Sequence, residues 1–287
     1  MNNSKHDDEP TAPRVNRRKF IAQATTLTGA GVAATTRLVA QDNKPPTATV
    51  SKLNVEPLGT MVEYKSGDLT IPAYLARPPK KKTAPGVLVI HEVFGLNDHI
   101  KNVADRIAHE GYVALAPNFF VRAPAPPPKD ASDMTALRKA VSSIPTEAAI
   151  KDMQAGLDYL KADKGVKPKL ASIGFCMGGG FSYQIATHTK DLAGAVIFYG
   201  RIPIELVPQV SCPLLASFGA LDTGLPADQI NAWVDALHKA GKSVDAKIYP
   251  NAKHGFFNDT RPEAYNAEAA ADAWQRVLKF FHERLGT

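Results

Sequence analysis

The segment Ser172-Ile173-Gly174-Phe175-Cys176-Met177-Gly178-Gly179-Gly180 decides how the rest of the chain is read. An apolar run over residues 170–173 leads into it and a helix-like segment over residues 177–187 follows, so the glycines stand where a strand turns into a helix. Gly174 and Gly178 lie two residues either side of Cys176. That is the G-x-S-x-G spacing with sulfur in place of the serine oxygen. A sharp strand-to-helix turn tolerates no bulky side chain at those flanks, because the chain doubles back on itself. The central residue then sits at a helix N-terminus, an end that favours negative charge. The next backbone N–H, that of Met177, points at the place where an oxyanion forms. Structural glycines at the end of a buried strand are the alternative reading of the same letters.

Working outward, short apolar runs recur at residues 86–91, 112–116, 194–199 and 213–218, with a more polar one at 244–249. Continuous apolar runs of this length mark strands covered on both faces. Helix-like segments separate them, at residues 100–109, 147–161, 177–187, 226–240 and 262–285. Nearer the N-terminus, residues 61–64 and 69–76 flank Ser66-Gly67-Asp68, a hairpin turn signal. This alternation predicts an α/β fold, a mostly parallel central sheet with helices on both faces. Residues 119–145 break the rhythm. Pro124, Pro126, Pro127 and Pro128 prevent a long helix, and no clean period returns before Met134. Such an excursion at the strand ends forms a natural rim for a pocket.

A nucleophile requires a base and a group to orient it. Asp222 follows the apolar run at 213–218, and His254 follows the one at 244–249. Both fall on loops at the same sheet edge as Cys176, which supplies the chain order Cys…Asp…His. A turn aspartate and a surface histidine are the plainer readings of each taken singly. His91, Glu92 and His99 resemble fragments of a metal site, but no H-E-x-x-H or clustered Cys/His spacing accompanies them, so no metal is expected. No Lys-Ser/Thr pair follows the glycine run, which argues against a phosphate loop.

Composition narrows the class further. The chain has 287 residues, a formal charge of +6 and two cysteines, Cys176 and Cys212. A disulfide framework is excluded, a single bridge is left open, and Cys212 reads as a small buried residue. Residues 1–40 hold six basic residues against three acidic ones, so about half of the net charge lies there. The remainder forms no dense basic block beyond Lys80-Lys81-Lys82, and nucleic-acid binding is not expected. Arg17-Arg18 precede a weakly apolar stretch that runs to Ala40 and contains five threonines and Arg37. This pattern predicts a twin-arginine export signal over 1–40, a linker over 41–55 and one catalytic domain over 56–287. A periplasmic or secreted location follows, without stable membrane insertion after export.

Three blocks resemble the dienelactone hydrolase (carboxymethylenebutenolidase) family of the α/β-hydrolase fold. They are Ile90-His91-Glu92-Val93-Phe94-Gly95-Leu96-Asn97, Gly174-Phe175-Cys176-Met177-Gly178-Gly179, and the loops of Asp222 and His254, and the likeness covers residues 56–285. It implies a Cys176–His254–Asp222 triad with no cofactor. It further implies that Glu92 hydrogen-bonds the resting thiol and that the Val93 N–H completes the oxyanion hole with Met177. In the family two arginines receive a substrate carboxylate. Arg122 matches the first, whereas the position of the second holds Asn258, with Arg261 three residues on. Tyr199 and Phe256 are candidates for the substrate pocket, with core packing as their other reading. The expected reaction is hydrolysis of enol-lactones or activated esters through a thioester acyl-enzyme. A broad carboxylesterase or thioesterase is the alternative within the class, and a non-catalytic binding protein on the same fold is the alternative outside it. The expected partner is a small-molecule lactone or ester, and the expected oligomeric state is a monomer.

Overall fold

Period-two burial along the strands builds the centre of the molecule. In the computed structural model, which describes residues 55–123 and 133–286, an N-terminal hairpin pairs β1 (Gly59–Ser66) with β2 (Leu69–Ala76). Strand and helix then alternate through β3 (Ala84–Ile90), α1 (Asp98–His109) and β4 (Val113–Pro117). The excursion follows, as a 3-10 turn at Phe119–Arg122 and two helices, α2 (Met134–Ser142) and α3 (Thr146–Ala162). Alternation resumes with β5 (Val166–Phe175), α4 (Met177–His188), β6 (Leu192–Phe198) and β7 (Leu214–Gly219). It closes with α5 (Ala227–Lys239), β8 (Val244–Tyr249) and α6 (Ala267–Leu285). The eight strands lie in the order β1-β2-β4-β3-β5-β6-β7-β8. β1, β2 and β4 pair antiparallel, and every pair from β4 to β8 is parallel. This is the α/β-hydrolase arrangement. The segment 1–40, nearly all of 41–55 and the prolines at 124–128 lie outside the described residues.

Each central strand feeds two cores. Leu88 and Ile90 of β3 point into one together with Met153 and Leu157 of α3, Ile185 of α4 and Trp233 of α5. Val87 and Val89 point into the other, against Val103 and Ile107 of α1 and Trp274 and Phe281 of α6. Both sets are excluded from water, so the run reads as unbroken apolar sequence rather than as alternation. α6 begins at Ala267 rather than near Pro262. Asn266 caps it by accepting from the Ala269 N–H at 3.0 Å, while residues 261–265 form hydrogen-bonded turns. Asp105 on α1 ties in the N-terminal hairpin: its buried carboxylate accepts from the Leu58 and Gly59 N–H groups and from the Tyr74 hydroxyl, at 2.9–3.1 Å.

The register sets the functional edge. Ile90 pairs with Gly174, Phe175 with Phe198 and Gly219 with Tyr249, so the parallel strands end close to level. Glu92, Cys176, Tyr199, Asp222 and His254 follow those ends by one to five residues. Five separate strands therefore deliver these side chains to one side of the sheet.

Candidate active site

Cys176 ends β5 and opens α4 with φ 54° and ψ −116°, a left-handed conformation that costs a side-chain-bearing residue about 1–3 kcal/mol. The surrounding sheet holds it there. Its N–H donates to the Phe198 carbonyl at 3.0 Å, and its carbonyl accepts from the Gly180 N–H at 3.2 Å. A β-carbon on Gly174 would run into the backbone of Gly178 and Gly179, and one on Gly178 into the carbonyls of Ile90 and His91. Both flanking glycines are thus demanded by close packing of the turn against itself and against the end of β3. The Cys176 side chain is half-buried and lines a cavity of about 640 Å³ that Val93, Met177, Tyr199, Asp222 and His254 also line. Cys212 is also a free thiol, but it is buried in the core, and burial pushes it up to about 12.

His254 and Asp222 meet on this cavity. His254 Nδ1 lies 2.6 Å from Asp222 Oδ2, and Asp222 Oδ1 accepts from the Gly224 N–H at 2.9 Å. A carboxylate can only accept here, so Nδ1 carries the hydrogen and Nε2 faces away from Asp222. Burial disfavours the imidazolium, but hydrogen bonds to Asp222 and to the Cys176 side chain more than offset this and raise His254 from 6.5 to about 10. Its side chain is 44% exposed, so water reaches it.

Behind the cavity lies a second polar group. The Glu92 carboxylate is 2% exposed and accepts from Asn258 Nδ2 at 2.6 Å and, more weakly, from the Tyr199 hydroxyl at 3.4 Å. Burial and the nearby carboxylate both push the Tyr199 phenol well above its ordinary range, so it stays a donor. His91 is fully buried, and that desolvation lowers it to about 4. Its Nε2 accepts from the Phe119 N–H at 3.1 Å, which leaves Nδ1 to donate to the Glu92 carbonyl at 2.7 Å. A neutral ring thereby pins the backbone immediately before the Val93 N–H. Among the described residues no group of three or more His, Cys, Asp or Glu side chains could hold a metal ion, and no helix is long and apolar enough to cross a membrane.

Comparison with known proteins gives this edge its context. The sequence model of the dienelactone hydrolase family matches residues 71–285. The chain belongs to that family. A Saccharolobus solfataricus protein named "Putative carboxymethylenebutenolidase" is 37% identical over 256 residues, covering 76% of this chain and 95% of that one. A Klebsiella pneumoniae crystal structure described as a dienelactone hydrolase of the same provisional standing superimposes with a TM-score of 0.74 at 31% identity, over 78% of this chain and 98% of that one. A dienelactone hydrolase-like promiscuous phosphotriesterase from metagenomic libraries gives 0.70 at 27% identity, over 79% and 98%. This family member is a carboxylic-ester hydrolase that acts on small lactones or esters.

Several side chains expected at the site stand elsewhere. The hydrogen-bond partners of the Glu92 carboxylate are Tyr199 and Asn258, the latter at the position where the family has its second arginine. Arg122 does not line the Cys176 cavity. Its Nε and a terminal nitrogen grip both oxygens of Asp152, which is wholly buried on α3. Phe256 is also outside the cavity lining, fully buried against Phe198, Tyr199 and Tyr249. Tyr199 does line the cavity, with φ 39° and its ring 5.1 Å from that of His254. Arg261 pairs with Glu263 and lies over the ring of Phe94. Sequence reading passed over Arg138 and Arg201, which both line the cavity. The signal for Arg138 is its place between Leu137, buried in the core, and Val141, packed against it, on the short helix after the proline-rich stretch.

The Arg122–Asp152 pair generates a sharp expectation. Arg122→Leu leaves a buried carboxylate without its cation and lowers unfolding free energy by about 3 kcal/mol. The Michaelis constant for a small ester changes less than twofold. Urea unfolding and steady-state kinetics on the same preparation measure both, and a large rise in the Michaelis constant at unchanged stability contradicts the assignment.

Proposed function

We propose that the protein hydrolyses enol-lactones or activated esters with Cys176 as nucleophile, His254 as general base and Asp222 as the group that orients it. One observation carries the reading. Cys176 sits at the tip of a strained turn, in the cavity that also holds a histidine fixed by a carboxylate at 2.6 Å. In this mechanism His254 already holds the cysteine's proton on Nε2, as its raised affinity requires, and the Cys176 thiolate attacks the substrate carbonyl. The N–H groups of Val93 and Met177, both on the cavity wall, receive the oxyanion. The enolate or phenolate leaves with the proton from His254 Nε2, which returns the imidazole to its neutral form. Water then gives a proton to His254 and attacks the thioester, releasing the acid and restoring the Cys176–His254 pair with its one proton.

We also propose a monomeric catalytic unit and export through residues 1–40, the latter supported by Arg17-Arg18 and the weakly apolar stretch after them. The exported protein then has an N-terminus near Gln41, which N-terminal sequencing of the periplasmic fraction reads directly. An intact chain starting at Met1 and confined to the cytosol overturns this part.

The nucleophile is tested by trapping. Mixing the protein with an excess of an activated aryl ester gives a burst of phenol and an acyl mass adduct on the peptide carrying Cys176. Cys176→Ala loses the adduct and at least about a thousandfold in turnover. Turnover that survives the substitution or treatment with iodoacetamide excludes the cysteine route.

The His254 titration checks the electrostatics separately. Because its partners raise the imidazole, the protonated form persists as pH rises through neutrality and is lost only around pH 10. Removing one partner by Cys176→Ala, or the other by Asp222→Asn, moves the midpoint down. Nitrogen NMR of the ring reports both, and a midpoint near 6.5 in the unmodified protein shows that the partners do not act as proposed.

A further inference from the structure

Neither position that the family resemblance indicates for anion binding faces a substrate freely, since Arg122 holds Asp152 and Asn258 holds Glu92. The cavity wall carries two other arginines, Arg138 on α2 and Arg201 just after β6. Both are solvent-exposed, and neither has an acidic partner among the described residues. Asp222 is the one carboxylate among the lining residues, and its oxygens are engaged by His254 and the Gly224 N–H. Arg201 is close to the nucleophile: its backbone nitrogen lies 3.3 Å from where a β-carbon on Gly180 would stand, one helical turn from Cys176. Two residues before it, Tyr199 touches His254. Much of the remaining wall is apolar, including Val93, Val141, Ile144, Phe181 and Leu225. A cleft with apolar sides and two unpaired guanidinium groups concentrates positive potential where the substrate enters. Guanidinium also presents parallel donors that match a carboxylate.

We infer that Arg138 and Arg201 form an anion subsite beside Cys176, which selects esters and lactones bearing a carboxylate in the same molecule. This rests on reading the Cys176 cavity as the active site. It moves anion recognition away from the two positions the family resemblance indicates and onto the wall made by α2 and the β6–β7 connection.

The test compares two 4-nitrophenyl esters of six-carbon acids, the hexanoate and the adipate half-ester, which carries a free carboxylate at its far end. The quantity read is the ratio of kcat/KM for the charged ester to that for the neutral one, measured on one sample so that folded fraction cancels. The unmodified protein favours the half-ester. Arg138→Gln and Arg201→Gln each lower the ratio about tenfold, and the double variant about a hundredfold, through KM rather than kcat. The ratio also falls as salt rises from 20 to 500 mM, as screening requires. Arg122→Gln leaves it within twofold. A double variant whose ratio drops less than threefold, or an unmodified protein that favours the hexanoate, overturns the inference. Cys176→Ala separates this failure from a wrong active site: hexanoate turnover that persists in that variant refutes the nucleophile, whereas its loss together with an unmoved ratio refutes only the subsite.

Discussion

The backbone of Cys176, held at positive φ, is the constraint on which the site depends. A residue with a side chain does not rest in that region unless its surroundings fix it. Here the fixing groups belong to two strands and a helix. The Phe198 carbonyl at the end of β6 takes the Cys176 N–H, the end of β3 leaves no room for a β-carbon on Gly178, and the first turn of α4 leaves none on Gly174. The turn therefore cannot relax without opening the middle of the sheet. The same tight contact brings the end of β3 up against the start of α4, and so brings the Val93 and Met177 amides to one cavity wall. The strained turn and the proposed nucleophile and oxyanion donors all follow from one packing arrangement.

Electrostatics then divides the polar groups at this edge into two sets. His91 and His254 are the same residue type at the same edge of one sheet, yet they are pushed in opposite directions. His91 has no carboxylate partner and is sealed from water, so burial outweighs its backbone hydrogen bonds and takes it down to about 4. It serves as a neutral bracket between the Phe119 N–H and the Glu92 carbonyl. His254 has Asp222 and a thiol as partners and stands half in water, and it rises to about 10. The two carboxylates are divided in the same way. Asp222 is committed to His254, and Glu92 to Asn258 and Tyr199, so the acid that orients the imidazole meets no competition from the second one.

What the sequence reveals of this follows from the range of the interactions. The strands, the turn at Cys176 and the loops of Asp222 and His254 are legible because each is encoded within about ten residues, by apolar runs, glycine spacing and position after a strand. Pairings between distant elements are not encoded in that way. Asn258 stands 166 residues from Glu92, and its spacing after His254 tells which position it occupies but not which group it meets. Arg122 looks like a pocket cation until α3 packs and places Asp152, with no access to water, directly against it. Phe256 lies two residues from His254, yet it is turned into the aromatic cluster of β6 and β8. In each case tertiary packing chose among partners that the local pattern left open.

In the proposed mechanism the cysteine needs an open site. Its thioester is hydrolysed only where water and a base can reach it. The imidazole here is 44% exposed and the cavity is open to solvent, so the water needed for deacylation enters beside His254 rather than through a closed lid. The same openness leaves a leaving group without a buried general acid beyond the imidazolium itself. Weakly basic leaving groups such as enolates depart without further help, whereas amines do not. On the proposed mechanism, selectivity for activated acyl compounds arises from the reactivity the open site can support, and the proposed arginine subsite adds a choice among such compounds by charge.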